Sequence, residues 1–121
     1  MEKNVQISLL LDFYQKMLTE KQAECIDLYY NDDLSLSELS IHFGITRQGG
    51  RDNIKRAESV LFNIEERLGL AARFLKIKEK LSEIDDTIRE IETSPDAARL
   101  PREIRLKINS ILTAVEEISE E

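Results

Sequence analysis

The residues best suited to chemistry in this 121-residue chain lie in one stretch near its middle: Thr46, Arg47, Gln48, Arg51, Lys55 and Arg56. Arginine can fork to the O6 and N7 of guanine, and glutamine to the N6 and N7 of adenine. Any lysine or arginine can neutralise a phosphate. Together they are the means to read a nucleic-acid groove. The plainer reading of Arg47, Gln48, Arg51 and Lys55 is a solvated helix face. Catalytic arrangements are not visible. The sequence shows no nucleophile–base constellation, no Gly-rich phosphate loop and no carboxylate pair of catalytic type. One His and one Cys cannot build a Cys/His metal cluster, and Cys25 has no partner for an internal disulfide. Asp32-Asp33 lacks further carboxylates at loop spacing and reads as a turn. His42 reads as a partly exposed helix residue and Cys25 as a small core residue. The expectation is a protein that is not an enzyme and uses no cofactor or metal.

Charge limits what the basic stretch can do. The chain carries 17 basic and 24 acidic residues, a formal net charge of −7. Residues 41–58 carry four basic against two acidic residues, while 1–40 carry three against eight and 59–121 ten against fourteen. Affinity for nucleic acid follows the number of phosphates neutralised, so one copy is expected to bind DNA weakly, and tight binding requires two copies or a different partner. The apolar run of MEKNVQISLLLDF is interrupted by Asp12 and followed by no small-residue cleavage site. No run approaches the roughly 18 apolar residues of a membrane span. The chain is therefore expected to be cytoplasmic, without a membrane span.

The elements that must hold the basic stretch are helices. Strand-like alternation is absent, which makes the fold class all-α. Val5, Leu9, Leu10, Phe13 and Met17 recur at helical spacing and predict an amphipathic helix over about residues 3–18. Thr19 with Gln22, and Ser35 with Glu38, are capping-box pairs that open a second and a third helix. Ala23, Ile26, Tyr29 and Tyr30 form the predicted apolar face of the second, and Leu36, Leu39 and Phe43 that of the third. Asn31-Asp32-Asp33 is a turn, Gly44 supplies the positive φ of a helix end, and Thr46 caps the next helix. A support helix, a tight turn with Gly and a basic helix form a helix-turn-helix. The motif is assigned to residues 1–68 as one domain, of the winged-helix-like kind.

Residues 69–121 form the second predicted domain. An apolar stripe at Ile54, Leu61, Ile64 and Leu68 runs to Gly69. Beyond it Phe74, Ile77, Leu81, Ile84, Ile88 and Ile91 keep the three–four spacing of a coiled-coil seam. Ser94-Pro95 breaks the pattern, and Pro101 fits the first turn of a last helix with Ile104, Ile108, Ile111, Val115 and Ile118 as its stripe. Two seams joined by a short loop predict an antiparallel helical hairpin. These stripes serve as core packing or, in part, as a homodimer interface, because two thin helices cannot cover a wide apolar face alone.

The stretch TEKQAECIDLYYNDDLSLSELSIHFGITRQ, with DNIKRAE after it, resembles the YlxM-like family of small bacterial proteins, whose helix-turn-helix is similar to region 4 of sigma factors. The resemblance implies a sigma region 4-like helical bundle and a DNA-binding regulatory protein. The genes of that family typically neighbour those of the signal recognition particle GTPase and its receptor, which implies a role in that pathway. It also admits a second class, an adaptor that contacts a signal recognition particle GTPase or its RNA without binding DNA. This chain departs from the family pattern at Gly49-Gly50-Arg51, where the family usually has Ala-Val-Tyr. A Val at position 50 would plug the basic helix onto its support helix. Gly there removes that contact, and each Gly costs about 1 kcal/mol of helix propensity relative to Ala.

Overall fold

In a computed structural model, residues 1–120 are described. Among them are six α-helices: α1 (Lys3–Tyr14), α2 (Glu20–Tyr30), α3 (Leu36–Phe43), α4 (Arg47–Leu68), α5 (Leu70–Thr93) and α6 (Arg102–Ser119). Short 3₁₀ turns follow α1 (Gln15–Met17) and precede α6 (Ala97–Arg99). No strand occurs among the described residues, so the winged-helix-like expectation is corrected: a wing is a β-hairpin, and this helix-turn-helix has none. None of the helices is long and apolar enough to cross a membrane. The contacts divide the chain into two compact units, one ending at Ala71 and one beginning at Ala72.

The first unit is built by local signals that agree with its long-range packing. Thr19 opens α2 by a capping box in which Gln22 N–H donates to Thr19 Oγ1 at 3.1 Å and Thr19 N–H to Gln22 Oε1 at 3.1 Å. Ser35 and Glu38 make the same pair of bonds at the start of α3, again at 3.1 Å each. Between these helices Asp33 turns the chain with φ 55°, a left-handed conformation that Asp tolerates. Helix α3 ends at Gly44 with φ 64° and ψ 37°. There the Ile45 N–H returns to the Ser40 carbonyl at 3.0 Å, so the turn into α4 takes only three residues.

Two apolar clusters fix these helices. One joins Ile7, Leu10, Leu11 and Tyr14 of α1 to Ile26 of α2 and to Ala57 and Leu61 of α4. The other joins Cys25, Leu39 and Ile54, with Leu36, Tyr29 and Phe43 packed against it. The buried face of α1 differs from the predicted one. Val5 and Met17 are exposed, and the helix proper stops at Tyr14. Apolar residues occupy most of the circumference of α1, so spacing alone did not single out the Ile7–Leu10–Leu11–Tyr14 face.

The end of α4 is tied down by a partly buried polar corner. Gly69 takes φ 63° and ends α4. The fully packed Tyr14 donates its hydroxyl to Glu65 Oε1 at 2.6 Å and accepts the Leu70 N–H at 3.2 Å. The same Glu65 oxygen accepts the Ala71 N–H at 3.1 Å. Two of the N–H groups that a helix start leaves open are thereby satisfied. Ala71 is itself buried in the first cluster. The first unit therefore extends to Ala71 and not to the expected Leu68.

The second unit is an antiparallel hairpin of α5 and α6. Leu81, Ile88 and Val115 are its buried residues. Arg89 reaches Asp85 on its own helix at 2.8 Å and Glu116 on α6 at 3.5 Å. Lys78, Leu81 and Asp85 share a groove with Val115, Glu116 and Ser119, so the middle of α5 lies beside the end of α6. The break at Ser94-Pro95 is where α5 ends. Pro101 stands one residue earlier than expected, as the residue preceding the first turn of α6.

Candidate nucleic-acid interface

Helix α4 is anchored along one face and free along the other. Gly50, Ile54, Ala57 and Leu61 are buried, at the spacing of one helical stripe. Arg47, Gln48, Arg51, Lys55 and Arg56 are all exposed. At 100° per residue, Gln48, Lys55 and Arg56 spread over the arc opposite the buried stripe and Arg51 lies at its flank, whereas Arg47, seven residues before Ile54, is exposed because it stands in the open first turn. No ion pair forms on Arg47, Arg51, Lys55 or Arg56 among the described residues, so their charges face solvent.

Thr46 does a different job from the other five. Its Oγ1 accepts the Gly49 N–H at 2.9 Å and caps α4. That bond starts the helix cleanly at Arg47, and so fixes which side chains occupy the outward arc. Gln48 is also engaged: its carboxamide donates to Asp52 Oδ1 at 3.0 Å. In the sequence Gln48 reads as a reader of adenine, and Asp52 stands out in no motif. The signal was present, since residues four apart on a helix are neighbours. Asp52 places one negative charge within the basic face and offers Gln48 a competing partner. Also on the support side, His42 lies exposed and its Nε2 meets Glu24 Oε1 at 3.1 Å, which links α3 to α2 and not to the exposed side chains of α4.

The glycine pair is placed as its register requires. Gly50 is buried against α3, and a Cβ built on it would lie 3.9 Å from Ile45 Cδ1 and 4.0 Å from Leu39 Cβ, ordinary van der Waals distances. Gly49 differs. A Cβ there would lie 3.2 Å from the Thr46 Oγ1 that caps the helix. Ile45, the middle residue of the turn, lies beside both glycines and fills part of the space that a larger residue at 50 would take. Ile45 carries no signal of this role in the sequence. As a turn residue it falls outside any helical stripe.

The sequence that builds this motif is similar to those of known proteins. A family profile described as "Putative helix-turn-helix protein, YlxM / p13 like" matches residues 1–99. A UPF0122 protein of Acetivibrio thermocellus is 42% identical over 115 residues, covering 93% of this chain and 98% of its own length. One from Halalkalibacterium halodurans is 41% identical over 100 residues, covering 83% and 92%. One from Limosilactobacillus reuteri is 39% identical over 120 residues, covering 99% and 97%. The profile spans both the support helix and the basic helix whose geometry is given above. The chain belongs to the UPF0122 family of YlxM- and p13-like helix-turn-helix proteins.

Proposed function

We propose that the chain is a cytoplasmic DNA-binding regulatory protein that places α4 in the major groove, with two copies acting together. The observation that carries this reading is the row of solvent-facing cations Arg47, Arg51, Lys55 and Arg56, which no acid pairs among the described residues, on a helix whose opposite face is buried. Arg47 and Arg51 are suited to phosphates or guanine edges, Lys55 and Arg56 to phosphates, and Thr46 to holding the helix start in place. Four cations correspond to a salt slope of about −4 for one copy and about −7 for two. The remaining chain is acidic, and its field opposes the approach of a polyanion. Affinity near physiological salt is therefore expected to be micromolar or weaker for one copy.

A second reading is favoured by that acidity. The groove between α1 and α2 is lined by Asp12, Glu20, Glu24 and Asp27 with Lys16 as its one base among the described residues. Such a surface suits a basic protein partner, as an adaptor of the signal recognition particle pathway would need. A salt series separates the two. Binding to random duplex DNA and to the particle RNA is measured by anisotropy from low to physiological ionic strength. The DNA reading requires salt-dependent duplex binding whose slope falls by about one for each of Arg47→Ala, Arg51→Ala, Lys55→Ala and Arg56→Ala. Absence of duplex binding at low salt would leave α4 as a packing element and favour the adaptor.

A further inference from the structure

The hairpin of α5 and α6 leaves half of its apolar seam uncovered, and the uncovered half is regular. On α5 the seam splits into two columns of seven-residue spacing. Leu81 and Ile88 are 8% and 6% exposed, whereas Ile77, Ile84 and Ile91 are 44%, 42% and 40% exposed. On α6 Val115 is 7% exposed, whereas Ile104, Ile111 and Ile118 are 41%, 50% and 50% exposed. The groove holding Lys78, Asp85, Glu116 and Ser119 lies on one side of the hairpin. At 100° per residue, Ile77, Ile84 and Ile91 are rotated from Leu81 in the opposite sense to Lys78 and Asp85. Ile111 and Ile118 are likewise rotated from Val115 away from Glu116 and Ser119. Both open columns therefore lie on the same side of the hairpin.

Six half-covered isoleucines leave on the order of 400 Å² of apolar surface, the size of the largest patch on an ordinary monomer, where such patches are often functional. With the flanking stems of Arg73, Lys76 and Lys80 it approaches the roughly 800 Å² per partner of a stable interface. Charge identifies the occupant. The first half of α5, residues 70–81, carries four basic residues and one acidic; the second half, 82–93, carries one basic and five acidic. In α6, residues 102–110 carry three basic and one acidic, and 111–119 carry two acidic and none basic. In each helix the basic half comes first, against the preference of the helix dipole. That polarity is favourable only beside an antiparallel neighbour. The hairpin gives each helix one such neighbour on its covered side.

We propose that the open side receives a second copy of this chain, its hairpin antiparallel to the first, to form a four-helix bundle with the six isoleucines of each copy at its centre. A heptad column meeting its own copy in antiparallel sense is self-complementary, as a two-fold interface requires. The basic half of each helix then lies against an acidic half of the partner. This deepens the two-copy part of the functional reading and is independent of whether DNA is bound.

Sedimentation equilibrium of the full chain at 1–100 µM tests it, with helical content followed by circular dichroism. The wild type is expected at twice its chain mass of 14.0 kDa. Ile84→Glu with Ile111→Glu is expected to give a helical monomer. Leu106→Glu, a change at a 54% exposed residue off the seam, is expected to remain a dimer. Ile84→Ala with Ile111→Ala keeps good helix formers and guards against unfolding of the glutamate pair. It should raise the dissociation constant at least tenfold. A monomeric wild type at 100 µM overturns both the interface and the two-copy reading. A dimeric wild type whose dissociation constant is unmoved by the alanine pair overturns the interface and leaves two-copy binding standing.

Discussion

Gly49 and Gly50 are adjacent in the first turn of α4, yet they should respond oppositely to the same substitution. At Gly50 a methyl group enters an ordinary contact with Ile45 and Leu39. Helix propensity and a less flexible unfolded chain both favour Ala there, by about 1 kcal/mol together. Gly50→Ala is thus expected to raise the melting temperature of the first unit by about 4–8 °C. Gly49→Ala gains the same propensity but sets its methyl 3.2 Å from the capping hydroxyl of Thr46. Its gain should be smaller or absent, and a larger rise at 49 than at 50 in a thermal melt would contradict this placement. The tyrosines make a second prediction. Burial first, and then the hydrogen bonds to Glu65 and Glu58, raise Tyr14 and Tyr30 above the ordinary value of 10.0. Below pH about 10 both phenols keep their protons, folded or unfolded, and their contribution is fully present. Above it the unfolded chain loses those protons while the folded chain holds them, so stability falls as pH rises. In denaturant unfolding at pH 8 and 11, Tyr14→Phe with Tyr30→Phe should be less stable at pH 8 and lose less on going to pH 11. An equal loss would show that other groups govern the alkaline transition.

At the scale of elements, the ends of helices were more legible than their faces. The caps at Thr19, Ser35 and Thr46, the glycine stops at 44 and 69, and the break at Ser94-Pro95 rest on interactions within a few residues, which a sequence displays directly. Thr19→Ala and Ser35→Ala should each cost about 1 kcal/mol, read as a lower denaturant midpoint with unchanged slope. The burial of α1 was less legible. Its inward face is chosen by Ile26, Ala57 and Leu61, which are distant in sequence, and α1 offers apolar residues in nearly every direction. The corner of Tyr14, Glu65, Leu70 and Ala71 joins positions up to 56 residues apart and has no local signature. The basic face of α4 was legible as a set of residues, since its exposure follows from the stripe Ile54–Leu61. The Gln48–Asp52 bond and the role of Ile45 come from side-chain placement. Arg89 shows an element-scale effect of charge: the hydrogen bond to Asp85, then its charge, raises the guanidinium further above its already high value. It stays cationic throughout the accessible range, so the Arg89–Asp85–Glu116 link should respond to salt and not to alkaline pH.

At the scale of the molecule, two units with different ways of covering apolar surface should melt by different laws. The first unit closes its own core: Ile7, Ile26, Leu39 and Leu61 are fully buried, each within a cluster drawn from several helices. Its unfolding is an intramolecular equilibrium, whose midpoint does not depend on protein concentration. The hairpin buries Leu81, Ile88 and Val115 and leaves six isoleucines half-covered. If a second copy covers them, folding and association of the hairpin are linked, and its stability rises with the logarithm of concentration. Raising the concentration a hundredfold adds about 2.7 kcal/mol per dimer formed, which is a large share of what two thin helices hold by themselves. Calorimetry at 5 and 500 µM should therefore show one transition that moves up with concentration and one that stays. The Ile84→Ala, Ile111→Ala chain should lose most of that movement and keep the stationary transition. If the moving transition belonged to the first unit, as reported by tyrosine fluorescence from Tyr14, Tyr29 and Tyr30, the association would lie in the helix-turn-helix and the hairpin would be left to fold alone.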